Sequence, residues 1–227
     1  ELGGSDPFIV LEDADINEAV DVGIVSRMQN AGQSCIAAKR FIVHESVYNE
    51  FLDKYTKAAQ ALIIGDPLNE DTYIGPIARD YLVEELQQQV NKSVEMGAKV
   101  VCGGKRSSVG ESYFEPTVLV DVKEGMPAYK EEIFGPVAIV FKVSTDEEAI
   151  RIANDTEFGL GAAVWSADIS KAKRIATQIR TGTVAINGGV RSEPRLPFGG
   201  TKKSGFGREL AELGLKEFAN IKTINVF

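Results

Sequence analysis

Phe8-Ile9-Val10-Leu11, then Ile16, Ala19, Val20, Gly23, Ile24 and Met28 at helical spacing, then Phe41-Ile42-Val43 together decide the fold. The two short runs are apolar on consecutive rather than alternate positions, as strands buried on both faces are. The segment between them gathers its apolar residues on one stripe, and Asp15 with Glu18 marks its start in the manner of a capping box. Strand, helix and strand in that order make one crossover unit of a parallel sheet.

Outward from this unit the alternation repeats. Ser46 is expected to cap a helix with Val47, Phe51, Tyr55, Ala58, Ala59 and Leu62 on one stripe, closed by Gly65-Asp66-Pro67. A further helix repeats Leu82, Leu86, Val90 and Val94 and stops at Gly97, whose missing Cβ suits a left-handed residue past a helix end. Strands are predicted over Val100 to Cys102, Thr117 to Val120, Val137 to Phe141 and Ala162 to Trp165. Helices are predicted from Asp146 to Asn154 and from Asp168 or Ser170 to near Gly182, with Val184-Ala185-Ile186 the last buried run. The fold class is therefore α/β: an open, doubly wound, mostly parallel sheet with helices on both faces, in which sites gather at the carboxyl ends of strands. Residues 188–207 shift to Gly, Pro, Ser, Lys and Arg and read as a long functional loop. Asn220 to Phe227 alternates like a terminal strand with no helix left to cover it, so it is expected to pair with another chain.

A length of 227 residues suits one large domain or two small ones. Lys and Arg number 25 against 33 Asp and Glu, a net charge of −8 that argues against a nucleic-acid partner, whose phosphates call for a basic face. No apolar run approaches the ~20 residues of a bilayer-crossing helix, and no membrane partner is expected. Two cysteines and one histidine make neither a disulfide scaffold nor a zinc cluster, so no metal is expected and free thiols in a reducing compartment, the cytoplasm, are. Neither a G-x-G-x-x-G turn nor a Walker-type loop is present, so the chain carries no obvious phosphate cradle of its own. It opens Glu1-Leu2-Gly3-Gly4 without an initiator Met or a signal stretch and reads as part of a longer protein.

Cys35 follows Gly32-Gln33-Ser34 between a helix and a strand, where glycine lets backbone approach a ligand closely and an exposed N–H at the Cys could hydrogen-bond a developing oxyanion. Its other reading is that of a small buried hydrophobe, which fits Cys102 in Val100-Val101-Cys102 better. A thiol needs a proton partner. His44 would make a Cys–His dyad, the chemistry of a thiol acyltransferase or hydrolase. Glu1 and the pair Glu131-Glu132 are the carboxylate candidates, and a non-catalytic α/β interaction module is the third reading.

Taken together, Glu1-Leu2-Gly3-Gly4, Gly32-Gln33-Ser34-Cys35, Glu131-Glu132-Ile133-Phe134-Gly135-Pro136 and the run from Pro197-Phe198-Gly199-Gly200 to Gly207-Arg208-Glu209 resemble the aldehyde dehydrogenase superfamily, in order and spacing, across essentially the whole chain. The resemblance implies a catalytic domain over residues 1–205 and a helix end with an oligomerisation strand over 206–227. The N-terminal nucleotide-binding domain, with most of the NAD or NADP site, is expected to lie outside the chain, leaving this portion inactive alone. It further implies that Cys35 is the nucleophile, forming a thiohemiacetal and then, after hydride transfer to the nicotinamide, a thioester. Glu1 corresponds to the general base that activates water to hydrolyse that thioester. Acyl-CoA-forming members do not need this Glu, so Glu1 favours the hydrolytic branch. The Cys35 N–H corresponds to half of the oxyanion hole, Glu132 to the carboxylate on the nicotinamide ribose, Phe134 to the aromatic beside it, and Leu2 and Gly3 to backbone approaching the nicotinamide. Gln33 to Arg40 and Arg191 to Pro197 are similar to the succinate-semialdehyde dehydrogenase branch. Several of those enzymes place an Arg six residues before the nucleophile, where Gln29 stands here. Gln29, Ser34, Arg195 and Phe198 are the expected substrate contacts, with Arg191 or Arg195 a replacement for that cation. Ser5 departs from the Lys that many relatives carry. The expected partners are a small-molecule aldehyde and further copies, as a homodimer or homotetramer.

Overall fold

The computed structural model describes residues 1–227. Along the chain run β1 (Asp6–Val10), α1 (Ile16–Met28), β2 (Ala38–His44), α2 (Glu45–Gln60), α3 (Asp80–Glu95), β3 (Lys99–Cys102), β4 (Thr117–Val120), α4 (Pro127–Lys130) and β5 (Val137–Val143). They are followed by α5 (Asp146–Asn154), β6 (Phe158–Gly159), β7 (Ala163–Trp165), α6 (Ile169–Ala176), β8 (Ala185–Ile186), β9 (Thr201–Lys202) and α7 (Ala211–Glu217). Seven strands form one sheet in the order β3-β4-β5-β2-β1-β7-β8, and β6 pairs with β9 apart from it. Every neighbour in the large sheet is parallel except β3 against β4.

Period-two alternation splits each central strand between two cores. Phe8, Val10, Phe41 and Val43 point to the face covered by α1 and α2, where they meet Ile24, Met28, Phe51 and Tyr55. Ile9, Leu11, Ile42 and Ile139 point to the other face, where α3, α5 and α6 supply Val83, Leu86, Ile152 and Ile175. Helices thus cover both faces, as the consecutive apolar runs require. Asp15 caps α1 by accepting from the Glu18 N–H at 3.0 Å. No helix is long and apolar enough to cross a membrane.

Several expectations change in detail. The residue before α2 that caps it is His44, whose ring nitrogen accepts from the Ser46 N–H, so the cap lies two residues earlier than Ser46. The buried stripe of α3 is Val83, Leu86, Val90 and Ser93, leaving Val94 exposed: a row at intervals of four drifts around a 3.6-residue helix. β3 is an antiparallel edge strand with Val100 and Val101 exposed. α6 ends at Ala176, well before Gly182, and β8 is half-buried because it too is an edge. Residues 220–227 form no strand within the chain, and their side chains are exposed. Short elements without periodicity, namely α4, α7 and the β6–β9 pair, are additions to the predicted order.

Candidate active site

Four segments meet at one end of the sheet. Glu1 to Gly4 enter β1, Cys35 enters β2, Glu132 to Pro136 enter β5, and Gly159 to Gly161 enter β7. These strands are parallel, so the site lies at their amino ends, not at the carboxyl ends where it is expected from the fold. The carboxyl-end crevice between β1 and β7 is closed by side chains. Asp13 accepts from the Ser166 hydroxyl at 2.8 Å and from the Asp168 N–H at 2.9 Å, while Asn187 bonds both backbone groups of Ser166.

The Cys35 loop is forced into shape by a left-handed turn. Asn30 (φ 54°), Ala31 (φ 52°) and Gly32 (φ 74°) follow one another at the end of α1. Asn tolerates this region, and Ala31 does so at a cost of roughly 1–2 kcal/mol. A Cβ on Gly32 would stand 2.2 Å from the Gly135 oxygen, so only glycine allows the thiol loop to lie against Gly135-Pro136. Side chains secure the turn: Asn30 Nδ2 donates to the Gln33 carbonyl (2.9 Å), Gln33 Nε2 to the Asn30 carbonyl (3.0 Å), and the Ala78 N–H to Gln33 Oε1 (2.8 Å). Arg27, fully buried, donates from Nε to the Val137 carbonyl (2.8 Å) and from Nη2 to the Ile133 carbonyl (2.8 Å) and the Gly135 carbonyl, pinning the end of α1 to the Glu132 loop.

The thiol meets a carboxylate here. Cys35 Sγ lies 3.7 Å from Glu1 Oε2. Burial first, and the Glu1 charge second, push the Cys35 thiol above its ordinary pKa. Leu2 is held by its N–H to the Ser204 carbonyl (3.1 Å), while its side chain is exposed. Glu132 Oε1 accepts from the Gly4 N–H at 3.0 Å, and a Cβ on Gly3 (φ 101°) would fall 2.5 Å from Glu132 Oε2. Beneath them Lys39, wholly buried, donates to the Ser34 and Cys35 carbonyls at 2.9 and 3.0 Å and stands 3.4 Å from Glu132 Oε1. Asp6, also buried, accepts the Gly161 N–H at 3.0 Å, and burial raises its pKa to about 6.

The structure therefore brings Glu1, Leu2, Gly3, Cys35 and Glu132 together. Phe134 stands half-exposed in the Glu132 loop. Beside Cys35 a groove of about 1030 Å³ includes Gln29, Ile36, Asn187, Arg191 and Arg195 in its lining. Arg195 is paired with Glu193 at 2.7 Å, so its charge is already matched. Phe198 is buried and exchanges backbone hydrogen bonds with Glu209 (2.9 and 2.7 Å), so its ring faces the interior and not the groove. Ser34 is half-buried, and its carbonyl is the part engaged. His44 is not in the site: it ends β2 while Cys35 precedes its start, roughly 20 Å away at the rise of a strand, and it serves as a helix cap. The Cys–His dyad is thus not assembled. Cys102 sits on β3 with its sulfur 3.7 Å from the Pro116 carbonyl, and burial raises its pKa.

Arg27, Lys39, Arg40 and Asp6 went unnoticed in the sequence. Arg27 falls on the apolar stripe of α1, and Lys39-Arg40 interrupts a strand buried on both faces; charge at positions that must be buried was the available signal.

Residues 1–224 match the aldehyde dehydrogenase family. The chain is 51% identical over 224 residues to a probable succinate-semialdehyde dehydrogenase [NADP(+)] of Synechocystis sp., covering 99% of this chain and 49% of that protein. It is 49% identical, with the same coverage, to succinate-semialdehyde dehydrogenase [NADP(+)] 1 of Mycobacterium tuberculosis. Among solved structures, succinic semialdehyde dehydrogenase from Streptococcus pyogenes in complex with NADP+ superposes with a TM-score of 0.96 at 41% identity, covering all of this chain and 50% of the other. The chain spans about half the length of the curated relatives it matches.

Proposed function

The chain belongs to the aldehyde dehydrogenase family, and from that premise we propose that it carries the thiol half of an NAD(P)-dependent oxidation of a small aldehyde to a carboxylic acid. The observation that carries this reading is the contact of Cys35 Sγ with Glu1 Oε2 at 3.7 Å, beside a second carboxylate, Glu132, held by the Gly4 N–H. One carboxylate faces the thiol. The other keeps Oε2 free of protein donors, beside the exposed Leu2 and the half-exposed Phe134, which suits the hydroxyls and ring of a nicotinamide riboside. NADP is the favoured form, because the Synechocystis and Mycobacterium relatives are named for it.

Each residue has a defined task. Cys35 starts as a thiol, since burial and Glu1 both disfavour the thiolate. The thiol proton passes to solvent water as sulfur bonds to the aldehyde carbon, leaving Glu1 a free carboxylate, and the carbonyl oxygen becomes an oxyanion facing the Cys35 N–H. The nicotinamide, when bound, supplies the hydride acceptor. Glu1 then takes a proton from water, whose oxygen bonds to the acyl carbon as the C–S bond breaks and the thiol is restored. The groove beside Cys35 receives the rest of the aldehyde. Its unpaired cation is Arg191, Arg195 being matched by Glu193, and an aldehyde with a distal carboxylate such as succinate semialdehyde fits it. In this reading residues 1–205 form the catalytic unit, residues 206–227 serve homo-oligomer assembly, and a nucleotide-binding domain completes the cofactor site in the whole protein.

The test is stoichiometric. Incubated with succinate semialdehyde and NADP+ or NAD+ but no CoA, the whole enzyme should form one reduced nicotinamide per acid produced. A strict requirement for CoA, or acid release without nicotinamide reduction, rejects the reading.

A further inference from the structure

Lys39 is a cation where the fold otherwise places apolar side chains. It lies on β2 between Ala38 and Arg40 with no side-chain exposure, so its charge needs local partners. Those partners are the Ser34 carbonyl (2.9 Å), the Cys35 carbonyl (3.0 Å) and, at 3.4 Å each, the Ala37 carbonyl and Glu132 Oε1. The geometry has a consequence on the far side of the same peptide units. All peptides here are trans, so a carbonyl drawn inward sends the N–H of the next residue outward. Holding the Ser34 oxygen aims the Cys35 N–H away from Lys39, and holding the Cys35 oxygen does the same for the Ile36 N–H, a dipole that favours the Cys35 thiolate against the larger effects of burial and Glu1.

We propose that Lys39 is a positioning residue of the thiol site, a sealed cation whose grip on the Ser34 and Cys35 carbonyls orients and polarises the Cys35 and Ile36 N–H groups toward the oxyanion and the thiolate. Through Glu132 the same ammonium joins the thiol loop to the Gly3–Gly4 segment, so the spacing between the two halves of the site is set from below. For the oxyanion the inference rests on the aldehyde-oxidising reading; for the thiolate it rests on the hold of Lys39 on the Cys35 carbonyl. Besides Glu132, the charged groups that act on Lys39 are Asp6 from β1 and Arg27 from α1. Burial and Arg27 lower its pKa to about 8, the two carboxylates opposing them.

The test replaces the charge and keeps the stem. Lys39→Met should move the midpoint of Cys35 alkylation by iodoacetamide about one pH unit upward, cutting the rate at neutral pH about tenfold and leaving the high-pH plateau unchanged. In the whole enzyme it should lower kcat for aldehyde by the ~10²- to 10³-fold typical of a misplaced oxyanion donor. An unmoved alkylation midpoint in a folded variant overturns the proposal. A second measurement needs no change at Lys39. In Cys35→Ser, where no thiol titrates at the site itself, the amide ¹⁵N shifts of residues 35 and 36 should move with the same midpoint as the labelled Lys39 Nζ. Amide shifts that stay still while Nζ titrates overturn the proposal too. The functional reading fails separately: if Cys102 is alkylated before Cys35 in the unaltered chain, Cys35 loses its role as nucleophile while the amide titration still decides Lys39.

Discussion

Glu1 Oε2 stands 3.7 Å from Cys35 Sγ, so the carboxylate proposed to accept protons adds to burial in disfavouring the thiolate of the proposed nucleophile. Glu1→Gln removes a negative charge from the thiol's surroundings. The Cys35 pKa should fall toward its ordinary value, and alkylation at neutral pH should speed up severalfold. Turnover of the whole enzyme should move the opposite way, by the ~10²- to 10⁴-fold of a lost general base, with a burst of reduced nicotinamide surviving. Slower alkylation together with a lost burst would assign Glu1 to holding the loop in place.

Gly32 and Gly125 separate crowding from backbone strain. Both have positive φ, 74° and 94°, but a Cβ at Gly125 meets nothing within 4 Å while one at Gly32 meets the Gly135 oxygen at 2.2 Å. Gly125→Ala should cost about 1–2 kcal/mol from conformation alone. Gly32→Ala should cost clearly more and should slow Cys35 alkylation, because the loop must move off Gly135. Urea unfolding midpoints of the two variants are the measurement, and equal losses would contradict the close approach.

Asp6 should give stability an unusual slope in mild acid. Its folded pKa, raised by burial to about 6, exceeds the unfolded value near 3.8, so between these limits the folded state holds more protons than the unfolded one. Stability from this group is then full below the unfolded pKa, declines as pH rises through the window and levels off above about pH 6. Asp6→Asn, which keeps an oxygen for the Gly161 N–H, should flatten that decline. Urea unfolding at half-unit steps from pH 4 to 7 reads it; parallel curves for the two proteins would exclude the contribution.

His44→Ala tests the rejected dyad. Losing the acceptor for the Ser46 N–H should cost about 1 kcal/mol, as a lost helix cap does, and should leave Cys35 alkylation and its pH profile unchanged. A large fall in thiol reactivity would bring the imidazole back into the chemistry.

What the sequence made legible follows its periodicities. β1, α1, β2 and α5 are read from apolar runs and stripes because burial on two faces leaves little choice of residue there. The amino-end location of the site was not legible. It depends on Asp13 meeting Ser166 and Asp168, more than 150 positions further along the chain, to close the carboxyl-end crevice. Cys35 and Glu132 stood out through neighbouring glycines, which mark backbone approach. Lys39 and Arg27 did not, because most of their partners are backbone carbonyls, which carry no signature in sequence, and a buried charge is recognised only once the strand or stripe around it has been placed.

Residues 220–227 are an exposed, partly apolar tail. Ile221, Ile224, Val226 and Phe227 are all at least 79% exposed, and no strand of this chain pairs with the segment. Exposed apolar side chains on a segment whose backbone groups are unpaired within the chain favour addition to a sheet edge of another molecule. A second copy offers the exposed edge strands β3 and β8 as such partners. Deleting residues 221–227 should therefore lower the mass measured by light scattering from an oligomer to a smaller species, while Cys35 alkylation stays unchanged because the thiol loop does not touch the segment. An oligomer of unaltered mass after the deletion would remove this segment from the assembly interface.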